Sequence, residues 1–181
     1  MNSGGVVEQL PLFQEEHILL NGAVQALQEL RLDEAKKAFE EYRGIYPQGE
    51  SVEDKLKLSL FLLDGLAKVN SAGCDEPALL YHLWQDFEQY VKSIGVDDDH
   101  LVASIKKSFF KNLVEKIDQY ELAAVPFLAD QIPPGFIYMQ TGDYDQAIAS
   151  LQACLPLSST NAHIYGYLGD AYMLHGEPAY A

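Results

Sequence analysis

The chain has 181 residues, of which 48% are hydrophobic and 22% charged, a globular composition long enough to bury a core without disulfide or metal staples. Lys and Arg number 12 against 27 Asp and Glu, giving a net charge of −15. That balance argues against holding nucleic acid by phosphate neutralisation and against docking on anionic lipid.

Residues 1–12 are expected to form a flexible arm, because Gly4-Gly5 and Pro11 break any periodicity. The first ten residues carry neither a basic stretch nor an apolar core, so no secretory signal is expected. From residue 13 onward apolar residues recur at three- and four-residue spacing, and no stretch alternates as a strand would. The fold class is therefore all-α, with residues 13–181 forming a single helical domain.

The first helix is expected over 14–30, with Ile18, Leu19, Ala23, Ala26, Leu27 and Leu30 on one face. Asp33 is a plausible N-cap for the second, which carries Ala35, Ala38, Phe39 and Tyr42 and stops before Pro47. Ser51 with Asp54 resembles a capping box and opens a third helix with Leu56, Leu60, Leu63 and Leu66. Its apolar stretch, 58–67, is interrupted by Asp64 and is too short to span a bilayer.

A turn over 73–76 leads to a fourth helix with Pro77 in its first turn, Leu80, Trp84, Phe87 and Val91 on its face, and Gly95 at its end. Asp97-Asp98-Asp99 loads negative charge at the start of the fifth, where the helix dipole favours it. Leu101, Ile105, Phe109, Leu113 and Ile117 form that helix's stripe. After Pro126, three more helices are expected over 133–141, 144–155 and 162–175.

An internal offset of 34 residues aligns Gly135 with Gly169, Tyr138 with Tyr172, Met139 with Met173, Gly142 with Gly176 and Ala147 with Ala181. Tyr165-x2-Leu168-Gly169-x2-Tyr172 and the turn Gly142-Asp143-Tyr144-Asp145-Gln146-Ala147-Ile148, followed by Leu151, resemble the tetratricopeptide repeat (TPR) family. Leu32-Asp33-Glu34-Ala35, Phe39 and Pro47 resemble its second-helix half, so 16–50 is a TPR-like hairpin by resemblance. The segment 131–181 then reads as TPR repeats with the last one incomplete, and 51–130 as irregular helices.

The resemblance implies stacked antiparallel hairpins in a short solenoid, since one hairpin cannot bury its apolar face alone. A glycine at 169 lets the paired helix approach closely, with Ala35 and Ala147 the small residues facing such contacts. Tyr138 and Tyr172 would fill the gaps between units. The sequence departs from the family's pattern: Tyr165 stands in place of a Trp, Pro134 replaces the Leu before Gly135, and Ser159 stands where a Pro is usual. Because the chain stops five residues after Gly176, it is expected to be a fragment, with Leu168 and Tyr172 covered by another surface.

No catalytic constellation stands out: there is no GxSxG, HExxH, phosphate-binding glycine loop or Cys/His metal set. Asp97-Asp98-Asp99-His100 and Asp143-x-Asp145 read as helix starts rather than metal sites. Cys74 and Cys154 read as small hydrophobes, and His17, His82, His100, His163 and His175 as scattered side chains. No catalytic residue, metal or cofactor is expected. A small-ligand or enzymatic site on the central helices, around Tyr81, His82 and Trp84, is the third class of reading.

Every Lys and Arg lies at or before Lys116; beyond it the charged residues are all acidic. Asp170 stands where some members of the family place an Asn that clamps a partner's carboxylate, so that clamp is not expected here. In the family the first helix of each hairpin lines a concave groove. By position that implies a partner-binding face of His163, Gly166, Tyr167, Asp170, Met173 and Leu174. The implied function is a non-catalytic, cytoplasmic module that binds a protein or peptide, with no nucleic acid and no membrane; an acidic wall would favour a basic or neutral peptide. The alternative is a self-associating scaffold whose incomplete C-terminal repeat pairs with a second copy.

Overall fold

The computed structural model of the chain describes residues 9–69, 76–129, 132–157 and 160–176. Residues 1–8 of the expected arm, Cys74, Ser159 and Ala181 lie outside the described residues. The helices are α1 (Gln9–Gln28), α2 (Leu32–Ile45), α3 (Glu53–Val69), α4 (Glu76–Ile94), α5 (Asp99–Gln119), α6 (Pro134–Thr141), α7 (Tyr144–Cys154) and α8 (Ala162–His175). A 3₁₀ turn at Leu155–Leu157 extends α7. Among the described residues there is no strand, only a single bridge between Ala129 and Ile132, so the fold is all-α.

The chain divides into two compact units: Met1–Ala67 with Phe87–Ile105, and Lys68–Asp86 with Lys106–Ala181. In the first, α1 packs on α2, burying Leu20, Ala23, Ala26 and Leu27 against a face of Leu32, Ala35, Phe39 and Tyr42. Tyr42 donates its hydroxyl to Glu16 Oε1 at 2.8 Å and accepts the Glu50 N–H at 2.9 Å, pinning the turn after α2 back onto α1. The rings of Phe61 on α3 and Tyr90 on α4 stack with centroids 4.5 Å apart.

Several local expectations shift here, each for a physical reason. Helix α1 starts at Gln9 rather than 14, because Pro11 falls in its first turn, where the missing N–H costs nothing. It ends at Gln28, and Leu30 takes a left-handed conformation (φ 58°) while the Arg31 N–H bonds back to Ala26 O. Ile18, expected on the core face, is exposed, and Leu20 is buried instead. Asp33 lies in the first turn of α2 rather than at its cap, where Arg31 stands without a side-chain cap bond.

Helix α3 begins at Glu53, two residues after Ser51. It buries Leu56, Leu58, Ser59 and Leu62, whereas Leu60 is exposed. This helix carries leucines on more than one side, so period alone does not choose its core face. Burial of Ser59 is tolerated because its hydroxyl donates to Lys55 O one turn back.

In the second unit Trp84 packs against Phe109 and Phe110, with ring centroids 5.3 and 5.5 Å away. Glu76, only 3% exposed at the start of α4, accepts Lys116 Nζ at 3.0 Å and the Tyr120 hydroxyl at 3.1 Å. A carboxylate this buried persists because it is paired and hydrogen-bonded. The expected stripe of α5 is buried throughout, from Leu101 to Ile117. Asp98 caps α5 by accepting the Leu101 N–H at 2.9 Å.

Helices α6, α7 and α8 pack in succession. Pro133 occupies the N-cap of α6 and Pro134 its first helical position. The helix runs eight residues and stops at Gly142 (φ 81°, ψ 11°), whose N–H returns to Met139 O and Tyr138 O. Asp143 then caps α7 by accepting the Gln146 N–H, so the reversal between the two helices takes two residues. Helix α8 stops at Gly176 (φ 89°, ψ 19°), whose N–H returns to Met173 O and Tyr172 O. The two stops are the same structure 34 residues apart.

Between α6 and α7 the approach is close. A Cβ at Gly135 would stand 2.4 Å from Leu151 Cγ and 2.9 Å from the Ala147 carbonyl oxygen. One of those atoms is backbone and cannot swing away. Gly135→Ala is expected to destabilise the fold by about 1–3 kcal/mol, the usual cost of overpacking, as read by urea unfolding. A variant as stable as the parent would show that the two helices are not in contact there.

Candidate functional site

The surface of interest is built on α6 and α8, which α7 holds in register. Helix α7 buries Ala147, Ser150, Leu151 and Cys154, spaced as one helical face. Two of them also pin the irregular segment before α6. The Ser150 hydroxyl donates to Ala123 O, and the Cys154 thiol donates to Val125 O at 3.1 Å. Burial pushes the Cys154 thiol above its ordinary pKa, so it stays protonated and inert.

Helix α6 is held from its other side by Tyr138. This residue is 2% exposed, and its hydroxyl donates to Asp118 Oδ1 at 2.5 Å. Burial first, and the bond to Asp118 second, hold the Tyr138 phenol far above its ordinary range. Tyr172, its counterpart on α8, accepts a hydrogen bond from Gln152 Nε2 of α7 at 2.7 Å.

Helix α8 is capped by Asn161, which accepts the His163 N–H at 2.9 Å, and it turns Ile164 and Ala171 into the core. His163, Gly166, Asp170, Met173 and Leu174 lie on its exposed side. Met173 is 62% and Leu174 57% exposed. Tyr167 lies at the edge of this face, half-buried, its ring centroid 4.9 Å from that of Phe136 on α6. All six residues named from the sequence therefore fall on α8, five of them on its exposed side.

Two residues of α6 belong beside them and were not named. The 34-residue offset maps Asp170 onto Phe136 and Met173 onto Met139, and both are half-buried on α6. The Met139/Met173 identity carried that signal.

Residues 135–176 match a family model described as TPR repeat. The matched residues run from Gly135, at the close contact with α7, to Gly176, the stop of α8, so the sequence resemblance and the geometry coincide. No curated protein matches the chain, and no solved structure does. A TPR repeat points to a protein-interaction module.

Elsewhere the candidates of the sequence have structural roles. Tyr81 and Trp84 are buried, and His82 Nδ1 stands 3.2 Å from Gln85 Oε1. His175 Nε2 meets Asp145 Oδ1 at 3.0 Å. Asp98 and Asp143 are helix caps. Among the described residues no group of three or more His, Cys, Asp or Glu could hold a metal, and no helix is long and apolar enough to cross a membrane.

The Tyr138 phenol must stay neutral in the folded protein, whereas an unfolded tyrosine ionises near pH 10. Its contribution is complete below about pH 10 and is lost as pH rises beyond that value. Tyr138→Phe is expected to cost about 1 kcal/mol at neutral pH, because Asp118 is exposed and recovers water. It should also reduce the alkaline fall in stability, followed by urea unfolding across pH. An unchanged alkaline limb would remove Tyr138 as its source.

Proposed function

We propose that the protein is a non-catalytic interaction module that holds another protein or a peptide on the face shared by α6 and α8. The observation that carries this reading is the pair Met173 and Leu174, large apolar side chains more than half exposed on the last helix of the matched repeat. Exposed apolar side chains grouped on one face favour a partner that covers them.

The acidity of the C-terminal helices supports a basic partner. No Lys or Arg occurs after Lys116, and Asp170 stands in the middle of the face. A basic peptide with leucine or tyrosine side chains complements such a surface, and an acidic one is repelled. The same acidity disfavours nucleic acid and anionic membranes as partners. A cytoplasmic setting is part of this reading.

Two equimolar peptide pools of equal apolar content, one carrying Lys and Arg and the other Asp and Glu, test it by retention on the immobilised protein. Peptides of the basic pool should be retained. The double variant Met173→Ser, Leu174→Ser, which leaves the charge of the face unchanged, should retain several-fold less, since both side chains are more than half exposed. Equal retention of both pools by both proteins contradicts the proposal. Sedimentation of the protein alone at several concentrations separates the self-associating scaffold, which dimerises without any added peptide.

A further inference from the structure

Three residues of α8 form a smaller constellation within that face. Asp170 follows Tyr167 by three positions and Gly166 by four, so all three are neighbours on the helix surface. Helical side chains lean toward the N-terminus, which sends the Asp170 carboxylate over the turn that holds Gly166 and Tyr167. Nothing lies within 4 Å of where a Cβ on Gly166 would stand. The helix thus carries a bare position beside a carboxylate on one side and an aromatic ring on the other.

The ring is fixed. Tyr167 packs on Phe136 at 4.9 Å with the planes inclined by 50°. No Lys or Arg lies near the carboxylate in sequence, the nearest being Lys116. Gly166 is a costly choice inside a helix, and here no close neighbour requires it.

We infer that this constellation binds the guanidinium of an arginine in the partner peptide. The planar cation lies against the Tyr167 ring, fills the space above Gly166 and donates a bidentate pair of hydrogen bonds to Asp170. Arginine is favoured over lysine because a flat, weakly hydrated guanidinium both stacks on an aromatic face and offers a two-pronged donor to a carboxylate. The inference rests on the peptide-binding reading of the α6–α8 face and names the group that face selects.

The test uses capped peptides of sequence Leu-Ala-Arg-Ala-Leu and the same peptide with citrulline, the neutral isostere, in place of arginine. Binding is followed by amide and tyrosine-ring shifts in nuclear magnetic resonance. The arginine peptide should move Gly166, Tyr167 and Asp170 and bind about tenfold more tightly than the citrulline peptide, the difference a charge-assisted stacked pair supplies. The preference should weaken with added salt and vanish in Asp170→Asn.

Gly166→Leu separates binding from folding. Leucine is a better helix former than glycine, so this variant should melt no lower than the parent while losing the arginine preference. Equal binding of the two peptides, no binding of either, or an undiminished preference in Gly166→Leu or Asp170→Asn would overturn the inference. The interaction module itself fails on a separate result, when neither peptide pool is retained.

Discussion

Two glycines in the left-handed conformation, Gly142 and Gly176, set the geometry on which the rest of the C-terminal helices depends. Each ends a helix that would otherwise continue, and each returns its N–H to carbonyls of a Tyr-Met pair. An L-residue with a Cβ resists that conformation, so each helix stops where its glycine stands. At Gly142 the reversal takes only two residues and lays α7 along α6 closely enough that Gly135 can carry no side chain. Helix α8 then packs on α7 with its own apolar core face of Ile164 and Ala171 turned inward. What remains outward on α8 is the side that carries His163, Gly166, Asp170, Met173 and Leu174.

Much of this was legible in the sequence because it is carried by local chemistry. Gly142 and Gly176 mark helix stops, Asp143 a start, and the 34-residue recurrence ties them together. The bounds of α8 agree with the apolar period to the residue, since Asn161 and Gly176 close it at both ends. Strong punctuation at both ends makes an element readable.

The less legible parts lacked such punctuation or had it misread. Pro11 reads as a breaker, but a proline in the first turn leaves the helix intact. In α1 and α3 apolar residues surround more than one side, so Ile18 and Leu60 are as apolar as the residues that are buried, and only tertiary packing sorts them. The pairing of Glu76 with Lys116 joins residues 40 positions apart, and that of Tyr138 with Asp118 joins residues 20 apart; neither spacing has a sequence signature. On the site, the α8 residues followed from the family's pattern, whereas Phe136 and Met139 required the repeat to be carried back one unit.

The equivalence of the two helix stops can be measured directly by placing D-alanine and L-alanine in turn at Gly142 and at Gly176 by chemical ligation. A left-handed site accepts the D-residue and reduces the freedom of the unfolded chain, so D-alanine should stabilise at both positions by a few tenths of a kcal/mol to about 1 kcal/mol. L-alanine should destabilise at both. Opposite signs at the two positions, or a loss with D-alanine at either, would contradict the shared geometry and leave α6–α8 as unrelated helices.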